Sequence, residues 1–218
     1  MSRREQDMRA EQELTKFLDE NLYDALEEHY TDVAWRRNND KATQLLGVDG
    51  YLTLGNNDIV VDEKATLYYI NRNLPTFAFE INSYQKGRLT PGWLFNPSYL
   101  TDYYMLVYPN ATHNDLSVIK AEDFVNCTCI LVERRKIIEH LESFGYTQEK
   151  IEADATIYRR QRNCGKLPID GINDFYYYLS YPSKYSEIPF NVIIRRNVLE
   201  QLARHIYLVN QGNVTIQK

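Results

Sequence analysis

Asp49, Asp62 and Lys64 are the residues whose types and spacing could carry chemistry in this chain. Asp49 stands in Gly47-Val48-Asp49-Gly50, and Asp62-Glu63-Lys64 follows a Gly55-Asn56-Asn57 turn. A hairpin closed at that turn returns Asp62 to the neighbourhood of Asp49. The two-residue period of a strand then puts Asp58, Val60, Asp62 and Lys64 on one face, and Ile59, Val61, Glu63 and Ala65 on the other. Two carboxylates and an ammonium gathered this way can hold a divalent metal against a phosphate, which is the chemistry of phosphodiester cleavage. The plain alternative makes Asp49 a turn cap and Asp62–Lys64 a surface ion pair worth roughly a few tenths of a kcal/mol.

Further elements must position these residues. Leu14, Phe17, Leu18, Leu22 and Leu26 recur at helical spacing, which predicts a long amphipathic helix over residues 4 to about 30. Strands are expected at 32–37, 50–54, 58–66, 76–82, 103–108, 124–132, 175–181 and 191–195. Helices are expected at 134–144, from a Thr147 cap to about 158, and at 196–209. Residues 83–100 and 163–174 read as loops.

The order helix, strand, Asp-bearing strand, Asp-x-Lys strand, strand, loop or helix, strand resembles the PD-(D/E)xK nuclease superfamily, the restriction-endonuclease-like fold. The resemblance rests on Gly47-Val48-Asp49 and Val60-Val61-Asp62-Glu63-Lys64-Ala65 and covers roughly residues 10–110. The tract from Gln44 to Glu80 is also similar to uncharacterised phage and bacterial proteins placed in that superfamily. Val48 stands where the family often has proline.

The resemblance implies an α/β fold with an αβββαβ core in residues 1–110. A family-specific α+β extension, residues 111–218, would pack on that core as one compact unit. It makes Asp49 and Asp62 ligands of Mg2+, with Mn2+ as substitute, and gives the backbone carbonyl of Glu63 as a third oxygen. Lys64 would orient the attacking water or stabilise the transition state. Glu28 is the candidate for an additional helix-borne ligand. Glu80 would reach the metal or tether Lys64, and Gln44 would order a metal water or a phosphate. The Asp62-Glu63 doublet leaves the register open, because a bulge would make Glu63 the second carboxylate ligand. The implied function is a Mg2+-dependent DNA endonuclease. The alternatives are a catalytically silent nuclease-fold module that binds nucleic acid or protein, and an acidic interaction protein unrelated to nucleases.

Composition narrows the setting. The net charge is −5, and residues 1–30 alone hold nine acidic and four basic side chains, so the acidity belongs to the first helix. Basic clusters fall at Arg134-Arg135-Lys136, Arg159-Arg160-Gln161-Arg162 and Arg195-Arg196, which makes the second half the expected place for DNA contacts or for a homodimer. Cys127, Cys129 and Cys164 cannot build a disulfide framework. No apolar run approaches a membrane span, so the expectation is a reduced, cytoplasmic protein with no membrane partner.

Overall fold

The computed structural model describes residues 3–85, 87–182 and 187–218. It is mixed α/β, with one seven-stranded and one five-stranded sheet. In chain order α1 (Arg3–Leu18) runs through a π turn (Asp19–Tyr23) into α2 (Asp24–His29). Then come β1 (Val33–Arg37), α3 (Lys41–Gln44), β2 (Gly50–Leu54), β3 (Asn57–Ala65), β4 (Thr76–Gln85), β5 (Arg88–Pro91), β6 (Tyr103–Ala111) and β7 (Phe124–Glu133). The remainder is α4 (Arg134–Ser143), α5 (Gln148–Gln161), β8 (Gly165–Leu167), β9 (Phe175–Leu179), β10 (Glu187–Arg195), α6 (Arg196–Leu202), β11 (His205–Asn210) and β12 (Asn213–Ile216).

Two compact units share this chain. One comprises Met1–Leu74, Leu100–Glu133 and Ala203–Lys218, and the other Pro75–Tyr99 and Arg134–Leu202. They interleave along the sequence instead of meeting at residue 110.

In the first unit the sheet order is β1-β2-β3-β6-β7-β11-β12. Neighbours are antiparallel except β3 and β6, which run parallel. The predicted helical stripe is buried, and it packs against Leu52, Ile59, Val61, Met105 and Val107. Each fully buried large side chain contributes roughly 1.5–3 kcal/mol. The π turn aligns residues five apart, which carries Tyr23 onto the same buried face as Leu18.

β6 is the central strand expected at 103–108, but it runs on through Pro109. The Pro109 carbonyl accepts the Asn71 N–H at 3.4 Å, on the β3 side, where ladder pairing has already ended at Val107. The missing proline N–H therefore costs no ladder bond.

The second unit holds the sheet β5-β4-β10-β9-β8, with α4, α5 and α6. β5 and β8 fall in tracts expected to be loops. The helix expected to close the chain ends at Leu202, and residues 205–216 form a hairpin instead. Ile206, Tyr207 and Val209 favour the pleated surface, and Gly212 takes the positive φ of +71° that the turn demands.

Candidate active site

Asp49 is fixed by its backbone before its side chain does anything. Gly47, with φ +74°, reverses the chain after α3. The Asp49 N–H then donates to the Val61 carbonyl at 2.9 Å, and its carbonyl accepts the Asn38 N–H at 2.9 Å. Asn38 Nδ2 donates to the Val48 carbonyl at 2.7 Å, and the buried Thr101 hydroxyl donates to the Gly47 carbonyl at 2.8 Å. Gln44 joins this scaffold by donating from Nε2 to the Asn38 carbonyl at 2.8 Å. Its support is to the turn that carries Asp49.

The β2–β3 register pairs Gly50 with Val61, and the Asp49 side chain, just before β2, meets the Asp62 carboxyl. Asp49 Oδ2 accepts the Glu63 backbone N–H at 2.7 Å. Lys64 projects beside Asp62, and its ammonium donates to Asp62 Oδ1. Asp62 is only 1% exposed, and its Oδ2 has no hydrogen-bond donor among the described residues. Burial pushes the Asp62 carboxyl up to about 6; Lys64 opposes that rise, and the neighbouring Asp49 carboxyl adds to it. Asp49 and Lys64 are both half-buried, so the group opens to solvent on their side.

Glu63 belongs to the opposite face. Its Oε1 accepts the Tyr23 hydroxyl at 2.7 Å, and its Oε2 accepts Arg37 Nη1 at 2.6 Å. Asp19, in the π turn, holds the same guanidinium through Nε at 3.1 Å. Tyr23 stacks on Trp35 with ring centroids 3.8 Å apart and 4° between planes. β3 pairs with β6 from Val61 to Ala65 without a register shift, so no bulge turns the Glu63 side chain toward Asp49. Asp62 is therefore the carboxylate that faces Asp49, and the Glu63 side chain ties α1–α2 to the back of the sheet. Gly50 completes that back face: a Cβ there would lie 2.2 Å from the Trp35 ring.

The remaining expected residues lie elsewhere. Glu28 is exposed on α2, where its charge acts on Asp24. Glu80 is on β4, in the second unit's sheet, whereas the neighbours of β3 are β2 and β6.

The helix acid that feels the group is Glu11. Glu11 is exposed on α1, yet partial desolvation of its carboxyl raises its pKa; Lys64 opposes the rise, and Asp7 and Asp49 reinforce it. Glu28 is seventeen residues further along, a helical path of about 25 Å. The sequence offered only Glu11's one-turn spacing from Asp7 as a hint, because periodicity does not give the direction in which a helix crosses a sheet.

No family model, curated protein or solved structure matches this chain. The chemistry of the site rests on its own geometry. Among the described residues no set of three or more His, Cys, Asp or Glu side chains is arranged to hold a metal ion. The two carboxylates are nevertheless hard oxygen donors of the kind that Mg2+ takes. Mg2+ keeps several waters and is commonly bound through one or two carboxylates. Asp62 Oδ2 is a buried oxygen without a donor among the described residues, on a carboxyl that also meets the Asp49 carboxyl, and positive charge is stabilising there.

Proposed function

We propose that the chain is a metal-dependent nuclease, a Mg2+-supported DNA endonuclease with Asp49, Asp62 and Lys64 as its working residues. One observation carries this reading: the buried Asp62 carboxylate meets Asp49 with one oxygen undonated while Lys64 holds the other. Supporting it, α1 covers a sheet that begins with antiparallel β1, β2 and β3 and continues with β6 parallel to β3. A parallel pair requires a crossover, as an αβββαβ core does. Here the crossover includes β4 and β5, which join the other sheet.

Asp49 and Asp62 would hold the divalent cation, which when bound supplies positive charge to the phosphate oxygens and a more acidic water. Asp62 holds the half-buried Lys64 ammonium beside the pair, where its positive charge would stabilise a phosphate's developing charge. The cross-strand bond from Glu63 N–H fixes the Asp49 carboxylate, so that little reorganisation is left to the reaction.

The test is incubation with supercoiled plasmid, single-stranded DNA and RNA, each with Mg2+, Mn2+ or EDTA. Cleavage of DNA that requires the metal and disappears in Asp62→Asn supports the proposal. Equal cleavage by Asp62→Asn places any activity elsewhere. The silent-module reading draws on the ion pair itself, since Lys64 already compensates Asp62. It requires that all three substrates stay intact while one of them is bound.

A further inference from the structure

The second unit contains a pocket of about 680 Å³ that the proposed chemistry does not use. Its size lies within the range of small-molecule sites. The C-terminal end of α5 forms one wall with Arg159 and Arg160, and Arg162 and Cys164 follow it. Tyr84 on β4 and Ile188 on β10 also line it, register partners that share a face of the sheet. Leu179 and Pro182 complete an apolar floor, and none of the described lining residues is acidic.

Three features point to an anion with a flat apolar part. First, Arg159 is anchored through Nη2 to the carbonyls of Asn82 at 3.3 Å and Ile188 at 3.2 Å, which fixes one guanidinium in the pocket wall beside Arg160 and Arg162. Burial lowers its pKa, and Glu80 offsets part of that. Second, Arg162 sits just past the helix with φ +55°, a left-handed position usually given to glycine. Basic residues in a last helical turn are accounted for by the helix dipole, but that does not account for an arginine held at the strained position beyond it. Third, Tyr84 leaves 43% of its surface exposed next to apolar walls, which suits a stacked ring.

We infer that this pocket binds a nucleoside monophosphate unit, with the phosphate on the arginine wall and the base against Tyr84 and the apolar floor. Planar guanidiniums match phosphate oxygens in paired hydrogen bonds. The same unit exists as a free mononucleotide and as the phosphorylated end of a strand. The inference does not depend on the nuclease reading, because every residue it uses lies in the second unit.

Cys164 supplies the readout. Cys127 and Cys129 are buried, so alkylation of the native full-length protein by a water-soluble maleimide reports on Cys164. A ligand in the pocket slows that alkylation by about 1 + [L]/Kd, roughly tenfold at ten times Kd. The probes are AMP, dAMP, a 5′-phosphorylated oligonucleotide, the same oligonucleotide without its phosphate, and inorganic phosphate. Titration calorimetry with each probe measures binding without the thiol. Protection by the mononucleotides assigns a free nucleotide, and protection by the phosphorylated oligonucleotide alone assigns a strand end. Arg160→Gln and Arg162→Gln, both at exposed positions, should each raise Kd roughly tenfold or more, and the exposed Arg72→Gln should leave it unchanged. The inference is overturned if no probe protects or gives binding heat, if inorganic phosphate protects as well as a nucleotide, or if the arginine variants bind normally. Cleavage lost in Asp62→Asn with nucleotide binding intact, or the reverse, separates the two proposals.

Discussion

Asp49 reaches across the hairpin and accepts the backbone N–H of Glu63 at 2.7 Å, so one candidate ligand is hydrogen-bonded to the chain immediately beyond the other. The carboxylate has two jobs there, as a cross-strand acceptor and as a negative charge beside Asp62. The two can be separated. Asp49→Asn keeps an oxygen for the Glu63 N–H, so stability should change by less than about 1 kcal/mol, whereas cleavage should fall on the order of 100-fold or more. Asp49→Ala should lose the same activity and about 1 kcal/mol of stability besides. Urea titration beside a cleavage assay checks both; a fully active Asp49→Asn would refute the ligand role.

Asp62 makes stability and metal binding move in opposite directions with pH. Its carboxyl titrates at about 6 in the folded chain, above the usual value of 3.8. A raised carboxyl favours folding while it is protonated; that contribution is complete below the unfolded value and is lost as pH rises through about 6. A divalent cation needs the ionised form. In EDTA, the Asp62 contribution to the urea midpoint should therefore decline from pH 4 to 7. Added Mg2+ should raise the midpoint at pH 7.5 and do little at pH 5. In Asp62→Asn the Mg2+ effect should vanish, and the decline between pH 4 and 7 should shrink.

Glu63 gives the opposite pattern. Its partners are Arg37 and Tyr23, on the face away from Asp49, so Glu63→Gln should cost about 1–3 kcal/mol of stability while metal-dependent cleavage persists at low temperature. Lost cleavage in a folded Glu63→Gln protein would reverse the assignment of the two adjacent acids.

Among the helix acids, Glu11→Gln should shift the Mg2+ concentration needed for half-maximal cleavage several-fold, because Glu11 shares the field of Lys64 and Asp49. Glu28→Gln should leave it unchanged. A metal titration of the two variants side by side decides between them.

The local part of this site was legible in the sequence. A Gly-Asn turn and the two-residue strand period placed Asp62 and Lys64 on one face and returned them to Asp49, because a hairpin is written in adjacent residues. The helical stripe from Leu14 to Leu26 was legible for the same reason. What failed depended on distant partners. Glu63 looked like a spare ligand until Arg37 and Tyr23 were seen to claim it, from 26 and 40 residues away. Glu80 sits on the predicted strand, but nothing local says which sheet that strand will join. The helix expected at 196–209 shows the cost of weighing apolar spacing above turn chemistry. Val198 and Leu199 do face a core from a helix, yet Gly212 closes a hairpin that the spacing could not reveal.

The parallel pairing of β3 with β6 also governs the order in which the sheet can assemble. Its left side, β1 to β3, comes from one short stretch and can zip at hairpin speed. Its right side waits: β6 arrives only after residues 75–99 have left for the other unit, and β11 only after residues 134–202 have done so. Loop closure over such spans slows folding, and until β11 docks, β7 keeps an unpaired edge through Cys127 to Leu131. On a ribosome, the segment carrying Asp49 and Asp62 would be ready long before residues 203–218 cover that edge. A chain shortened at residue 202 would therefore retain every residue of the candidate site and still be prone to aggregate.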